Sequence, residues 1–209
     1  MSEIKIDADA AREALKKLSP RLGLIIPGII VLAGAFTSYF TVPADSEAVV
    51  LRFGDYNRKA DPGLNFKWPF WFETKEIVPV DRLLKMEFGY GTKDAKNPFQ
   101  HRPQEYYEEQ SMITGDKNAA AVEWVIQYKI SDPKDYLFEV RNPEETMRDA
   151  AESVMREVVG DRTVDEVITI GRESIATDAL VKLQELVVEY KLGLKIESLQ
   201  LKNVNPPRE

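Results

Sequence analysis

Ala120-Ala121-Val122-Glu123-Trp124-Val125-Ile126-Gln127-Tyr128-Lys129-Ile130 decides how this chain folds. Ala120, Val122, Trp124, Ile126, Tyr128 and Ile130 fall on one side of a period-two pattern, and Ala121, Glu123, Val125, Gln127 and Lys129 on the other. Successive strand side chains point to opposite faces, so the spacing predicts a long strand with one face clearly more apolar. Gly115-Asp116-Lys117-Asn118, just before it, is a turn signal.

Toward the N-terminus, strand and turn signals fill residues 45–130. Ala48 to Phe53 predicts a strand ended by Gly54-Asp55, and Asp61-Pro62-Gly63 turns the chain into a short run from Leu64 to Lys67. Glu76 to Arg82 reads as a third strand, with Pro79 marking an edge or a bulge. Phe88 to Gln110 is dense in Gly, Asn, Pro, Gln and charge, without periodicity, and is expected as a long surface loop.

Toward the C-terminus the signals become helical. Asn142, with Pro143 next and Glu145 three on, starts a helix expected to reach Val159 and stop at Gly160. Thr163 and Glu166 form a capping box for a second helix. Its stripe of Val164, Val167, Ile168, Ile175, Ala179, Leu183, Leu186 and Val187 runs to about Tyr190, and Gly193 stops it. A last strand, Leu194 to Val204, changes phase between Ile196 and Leu199, which predicts a bulge near Ser198. Strands followed by helices give an α+β fold, with mixed or antiparallel strands, then two helices and a final strand.

Leu22 to Phe40 contains no charged residue. As a helix at about 1.5 Å per residue it spans roughly 28 Å, close to the thickness of a bilayer's hydrocarbon core, so a single transmembrane helix is expected. Lys5, Arg12, Lys16, Lys17 and Arg21 precede it, whereas Asp45, Glu47 and Asp55 follow it against Arg52 alone. That bias puts the N-terminus in the cytoplasm and the large domain outside. A signal peptide cleaved at Val42-Pro43-Ala44 is the rival; the long apolar stretch and long polar leader favour an uncleaved anchor.

The chain has 209 residues, no cysteine, one histidine and a net charge of -7. Without cysteine there is no thiol catalysis or cysteine zinc site, and His101 alone cannot build a multi-histidine metal centre. No phosphate loop, dinucleotide fingerprint or nucleophile elbow is present. The acidic balance argues against nucleic acid as a partner. Glu108-Glu109 reads as a solvated pair, and Glu144-Glu145 and Asp165-Glu166 as helix first turns, where the macrodipole favours negative charge. Asp116 lacks the spaced acids of a calcium loop. No catalytic residue, metal or cofactor is therefore expected, and the chain reads as a binding or scaffolding module, not an enzyme.

Phe66, Trp68, Phe70, Trp71 and Phe72 cluster within seven residues. They fit a core, a protein interface or a membrane surface. In a strand, Trp68, Phe70 and Phe72 would share one phase and Trp71 the other, which disfavours burying all of them; closeness to the apolar segment favours membrane contact. On the second helix, Arg172, Glu173, Lys182 and Glu185 are candidates for an oligomer interface, or simply a solvated face.

Several ordered blocks carry a resemblance. Val49-Val50-Leu51-Arg52-Phe53-Gly54, then Pro62-Gly63-Leu64-Asn65-Phe66-Lys67-Trp68-Pro69, resembles the opening of the band 7 (SPFH) family of stomatin, prohibitin, flotillin and HflK/HflC proteins. Met112-Ile113-Thr114-Gly115-Asp116 is similar to its second block. Arg148 to Asp161, Thr163-Val164-Asp165-Glu166-Val167, Gly171-Arg172 and Val204-Asn205-Pro206-Pro207 resemble the HflK branch.

The resemblance implies a single-pass protein of the bacterial inner (plasma) membrane, with a cytoplasmic N-terminus and a periplasmic domain. It implies assembly with an HflC-like paralogue, as a hetero- or homo-oligomer, into a ring or cage. That cage would surround an FtsH-like membrane AAA+ protease and control substrate access, with membrane lipid as a further partner. The alternative is a stomatin- or flotillin-like organiser of lipid domains. The expected organisation is a cytoplasmic segment 1–21, a transmembrane helix 22–40, a strand-rich part 41–130 with the loop 88–110, and a helical part 131–204 with the terminal strand. The branch's long Gly- and Gln-rich leader is absent from the sequence, and residues 205–209 are expected to begin a truncated C-terminal coiled-coil helix.

Overall fold

Residues 32–37 are helical and pass through Ser38 directly into β1 (Tyr39–Val42). The computed structural model describes residues 27–29, 32–91, 104–169 and 171–205. The described residues form two units: those up to residue 44 together with 48–76, and residues 45–47 together with those from 77 onward.

The first unit holds β1 and most of β2 (Glu47–Arg52), β3 (Asp55–Ala60), β4 (Gly63–Phe66) and β5 (Glu73–Val78). β1 pairs antiparallel with β4, with Tyr39 opposite Phe66, and β2 lies between β3 and β5. A small core of Phe40, Val42, Ala48, Val50 and Ala60 fills the unit. The β3 strand was not expected: Asp55-Tyr56-Asn57-Arg58-Lys59 is polar, and its place is set by pairing with β2 rather than by its own pattern. The expected third strand, 76–82, is displaced to Glu73–Val78, because Pro79 has no amide to continue a ladder.

The second unit is built on β8. Its elements are β6 (Leu84–Phe88), α1 (Gln104–Gln110), β7 (Ser111–Ile113), β8 (Ala119–Ile130), α2 (Pro133–Phe138), α3 (Pro143–Gly160), α4 (Val164–Ile168), α5 (Arg172–Glu189) and β9 (Leu194–Asn205). β6 and β7 pair antiparallel with one edge of β8, and β9 pairs antiparallel along the other. The register shifts between Gln127/Ser198 and Tyr128/Ile196, the bulge expected near Ser198, and again between Glu123/Asn203 and Trp124/Leu201.

The alternation in β8 has the anticipated effect. Val122, Trp124, Ile126, Tyr128 and Ile130 join Met147, Ala151, Val154 and Met155 of α3 and Ile175, Ala179, Leu183 and Val187 of α5 in one core. Each fully buried Leu, Ile or Val side chain contributes about 1.5–3 kcal/mol relative to exposure. At the end of α5, Gly193 adopts φ +67, and a Cβ there would stand 2.4 Å from the Asp132 carbonyl oxygen.

Four further expectations need correction. The single helix from 164 to about 190 is two, α4 and α5, broken at Thr169 (φ -100, ψ -91) with Gly171 as the N-cap of α5. Asn142 precedes α3 but caps no amide; its side chain donates to Glu145 Oε2 at 2.9 Å, while Pro143 occupies the first turn. The expected loop 88–110 begins with the end of β6 and ends in α1, with residues 92–103, His101 among them, outside the described residues. The helix expected to reach Phe40 gives way to β1 at Tyr39, because that residue enters a ladder with Phe66. The capping box at α4 forms as read: Thr163 Oγ1 accepts from the Glu166 amide and Glu166 Oε2 accepts from the Thr163 amide.

Candidate membrane-facing site

Between β4 and β5 the chain makes a turn that carries four of the five clustered aromatics. It is not strand, so the expected division of the rings by strand phase does not apply; Phe70 has φ 60. Phe66, Trp68, Phe70, Trp71 and Phe72 are 66%, 63%, 37%, 88% and 48% exposed, which removes the reading of a buried core. Contiguous exposed aromatics of this size mark an interaction surface.

A buried carboxylate fixes the turn from beneath. Glu73, the first residue of β5, is 1% exposed. Its Oε1 accepts from Arg52 Nη2 at 2.9 Å, Arg52 Nε at 3.2 Å and Asn57 Nδ2 at 3.2 Å, and its Oε2 accepts from the Trp68 amide at 3.0 Å. Lys67 Nζ donates to the Glu73 carbonyl at 3.1 Å. Burial alone would push the Glu73 carboxyl up. The Trp68 amide, the Arg52 hydrogen bonds and the charges of Arg52 and Arg58 outweigh it and hold the carboxyl below its ordinary value. The Arg52 guanidinium also lies 5.8 Å from the Trp68 ring centre.

The turn is tied to its neighbours on two sides. The Lys67 amide donates to the Ser38 carbonyl at 2.6 Å, and a Cβ on Gly34 would lie 3.4 Å from the Phe70 ring, so the turn abuts the end of the helical residues 32–37. On the other side, the β2–β3 hairpin turns through Phe53 (φ 54) and Gly54 (φ 90). Both central residues of a type I′ turn need positive φ, which Gly adopts freely and a bulky residue does not. Phe53 is nonetheless 77% exposed, its amide donates to the Phe72 carbonyl at 3.1 Å, and its ring meets Phe72 edge-on at 5.6 Å. A bulky residue held in a costly conformation at an exposed tip points to a role for its side chain.

Phe53, Arg58 and Glu73 are the residues that the sequence reading missed here. Phe53 carried a signal, a large aromatic directly before Gly at a hairpin position. Glu73 carried only its place after the aromatic run.

Arg172, Glu173, Lys182 and Glu185 all lie on α5, the last two roughly 15 Å along the helix from the first two. Arg172, Glu173 and Glu185 are exposed, whereas Lys182 is bonded to Glu157 of α3 at 2.6 Å. Asp116 is used within its own turn. It accepts from Thr114 Oγ1 at 2.5 Å, Asn118 Nδ2 at 2.7 Å and the Val164 amide of α4 at 3.2 Å, with Thr114 foremost in lowering its pKa. Among the described residues no three His, Cys, Asp or Glu side chains gather as a metal site.

Residues 40–209 match the model of the SPFH domain / Band 7 family. The chain belongs to that family. It is 37% identical over 186 residues to protein HflK of Borreliella burgdorferi, across 88% of this chain and 57% of that protein. It is 36% identical to protein HflK of Treponema pallidum, across 87% of this chain and 55% of that one. The Escherichia coli K12 protein named modulator of FtsH protease HflK is 29% identical, across 92% of this chain and 41% of its own length. The chain thus spans about half the length of the curated relatives it matches. Among the described residues no helix is long and apolar enough to cross a membrane; part of the apolar segment 22–40 lies outside them.

Proposed function

We propose that this protein is a non-catalytic, membrane-seated scaffold of the HflK type. The observation that carries the seating is the abutment of the exposed aromatic turn on the end of the apolar helical stretch, through Lys67–Ser38 and Phe70–Gly34. Rings in that position suit the headgroup level, where Trp and other amphipathic side chains concentrate. With residues 22–37 as a single anchor and the N-terminus cytoplasmic, the five aromatics and Phe53 rest on the outer leaflet of the inner membrane.

The regulatory part of the proposal leans on the relatives, one of which is named as a modulator of the FtsH protease. Subunits of this kind, together with an HflC-like paralogue, would enclose an FtsH-like protease and admit or exclude its substrates sterically. Residues on α5 such as Arg172, Glu173 and Glu185 would supply lateral contacts. The test is purification of the whole protein from its own membranes in mild detergent, with HflC-like and FtsH-like proteins expected alongside it; recovery of neither would sink the reading. The exposed aromatic turn also favours a second reading, a lipid organiser without a protease partner. That reading predicts loss of function on removing the rings even where partner binding survives.

A further inference from the structure

Beside the aromatic turn lies an open pocket of about 380 Å³ lined by Arg52, Arg58 and Lys67, with Glu73 as its single carboxylate and Phe66 and Trp68 among its apolar walls. Three cations against one buried anion leave the pocket positive, in a chain whose net charge is -7. The cations keep donors in reserve. Arg52 commits Nε and Nη2 to Glu73, and its Nη1 meets no acceptor among the described residues. Arg58 commits Nη2 to the Phe66 carbonyl, and Lys67 commits one Nζ proton to the Glu73 carbonyl.

The internal bonds hold the three side chains at the pocket while guanidinium and ammonium hydrogens remain for a ligand. Planar guanidinium groups match phosphate oxygens in pairs, and a lysine adds a point charge. Phe66 and Trp68 give the same pocket walls suited to the glycerol and upper acyl carbons that accompany a lipid phosphate. We infer that this pocket binds the phosphate of an anionic phospholipid headgroup. The inference rests on the membrane-facing reading of the aromatic turn and adds to it a selectivity for lipid charge. Fixing the turn and choosing the lipid then share residues: Arg52 and Lys67 brace Glu73 with some donors and offer others to the headgroup.

The test uses the full chain in bilayer nanodiscs, with emission quenching by brominated acyl chains as the readout. Trp124 is fully buried in the second unit, so quenching reports Trp68 and Trp71. With brominated phosphatidylcholine alone, quenching is expected from the membrane-facing reading, and its absence overturns that reading and with it the inference. In mixed bilayers, brominated phosphatidylglycerol should quench more strongly than its mole fraction predicts; equal quenching by the two lipids overturns the pocket while leaving the seating intact.

Arg58→Gln with Lys67→Gln should reduce the preference roughly five-fold or more without removing quenching by phosphatidylcholine. Arg58→Lys with Lys67→Arg should restore much of it. Lys59→Gln, the residue after Arg58 on β3 and not in the pocket lining, should leave the preference unchanged; an equal loss there means a diffuse surface field and overturns the inference. Inorganic phosphate at a concentration matched to the headgroups should not abolish the preference. If it does, the site takes a free phosphate, and the lipid assignment is overturned.

Discussion

Arg148 of α3 and Glu109 of α1 form an ion pair at 2.9 Å, and the same guanidinium lies 4.7 Å from the centre of the Phe88 ring. Phe88 is stacked at 3.7 Å on Trp124 at the centre of the core, so one arginine links a short helix to the main sheet. It also donates to the Glu87 carbonyl, and Glu109 Oε2 accepts from the Gly89 amide. Arg148→Leu should therefore cost about 2 kcal/mol in urea unfolding, since it removes the ion-pair partner of the largely buried Glu109 carboxylate and the guanidinium's bonds to the Glu87 carbonyl. Amides of residues 104–110 should lose hydrogen-exchange protection more than those of β8 do. Equal loss in both would mean that α1 is held by something else.

Glu73 should make the first unit acid-sensitive. Its carboxyl titrates below the ordinary value of 4.5 in the folded protein. The stabilisation is therefore fully present above that value and is lost as pH falls through the lower folded value. Glu73→Gln should remove this acid step and weaken the unit at neutral pH by about 2 kcal/mol, because Arg52 loses its partner. The check is Trp68 and Trp71 emission against pH in protein and variant; coincident curves would show that the carboxylate does not govern the turn.

Tyr128 predicts the opposite flank of the pH profile. Burial, then the Glu144 and Tyr136 charges and the hydrogen bond with Glu144, push its phenol up from 10.0 to about 12. The neutral phenol is favoured by folding, so its stabilisation is intact below pH 10 and fades as pH rises from 10 toward 12. Tyr136 and Tyr90 are also raised, so an ultraviolet titration should show a late-ionising component that Tyr128→Phe reduces at its highest-pH end.

Gly193→Ala should destabilise the second unit by about 3 kcal/mol, combining a left-handed backbone with a Cβ driven 2.4 Å from the Asp132 carbonyl oxygen. Thermal unfolding with and without the substitution measures it. A change below about 1 kcal/mol would require the α5–β9 corner to relax freely.

Trp71→Ser with Phe53→Asn should leave unfolding within about 1 kcal/mol, since both rings are exposed and Asn tolerates the Phe53 backbone better than Phe does. Contact of the turn with a bilayer should nevertheless fall, as read by quenching of the remaining Trp68. Stability loss without loss of contact would argue that the rings serve packing.

The second unit was legible in the sequence because its elements carry their own signals: the period-two run of β8, the Thr163–Glu166 box and the phase switch near Ser198. The first unit was less so. β3 is polar and exists by pairing with β2, and the aromatic turn follows no period at all. The break between α4 and α5 hid in a stripe that continues across it, since Ile168 and Ile175 both suit one helix face. Of the candidate site, the five aromatics were visible as composition. Glu73 and Arg58 were not, because a buried carboxylate and its cations are brought together by strand pairing rather than by spacing.

The ladder between β8 and β9 also orders events during synthesis. It joins Ile130 to Leu194 at one end and Ala121 to Asn205 at the other, so the central strand waits on a partner that leaves the ribosome only after helices α2 to α5. The first unit closes on contacts within residues 34–76. Long-range pairing bears its loop-closure cost before any contact rewards it. The first unit can therefore be complete while the edge of β8 that β9 will cover is still bare, and in that interval this edge is where a wrong strand can pair.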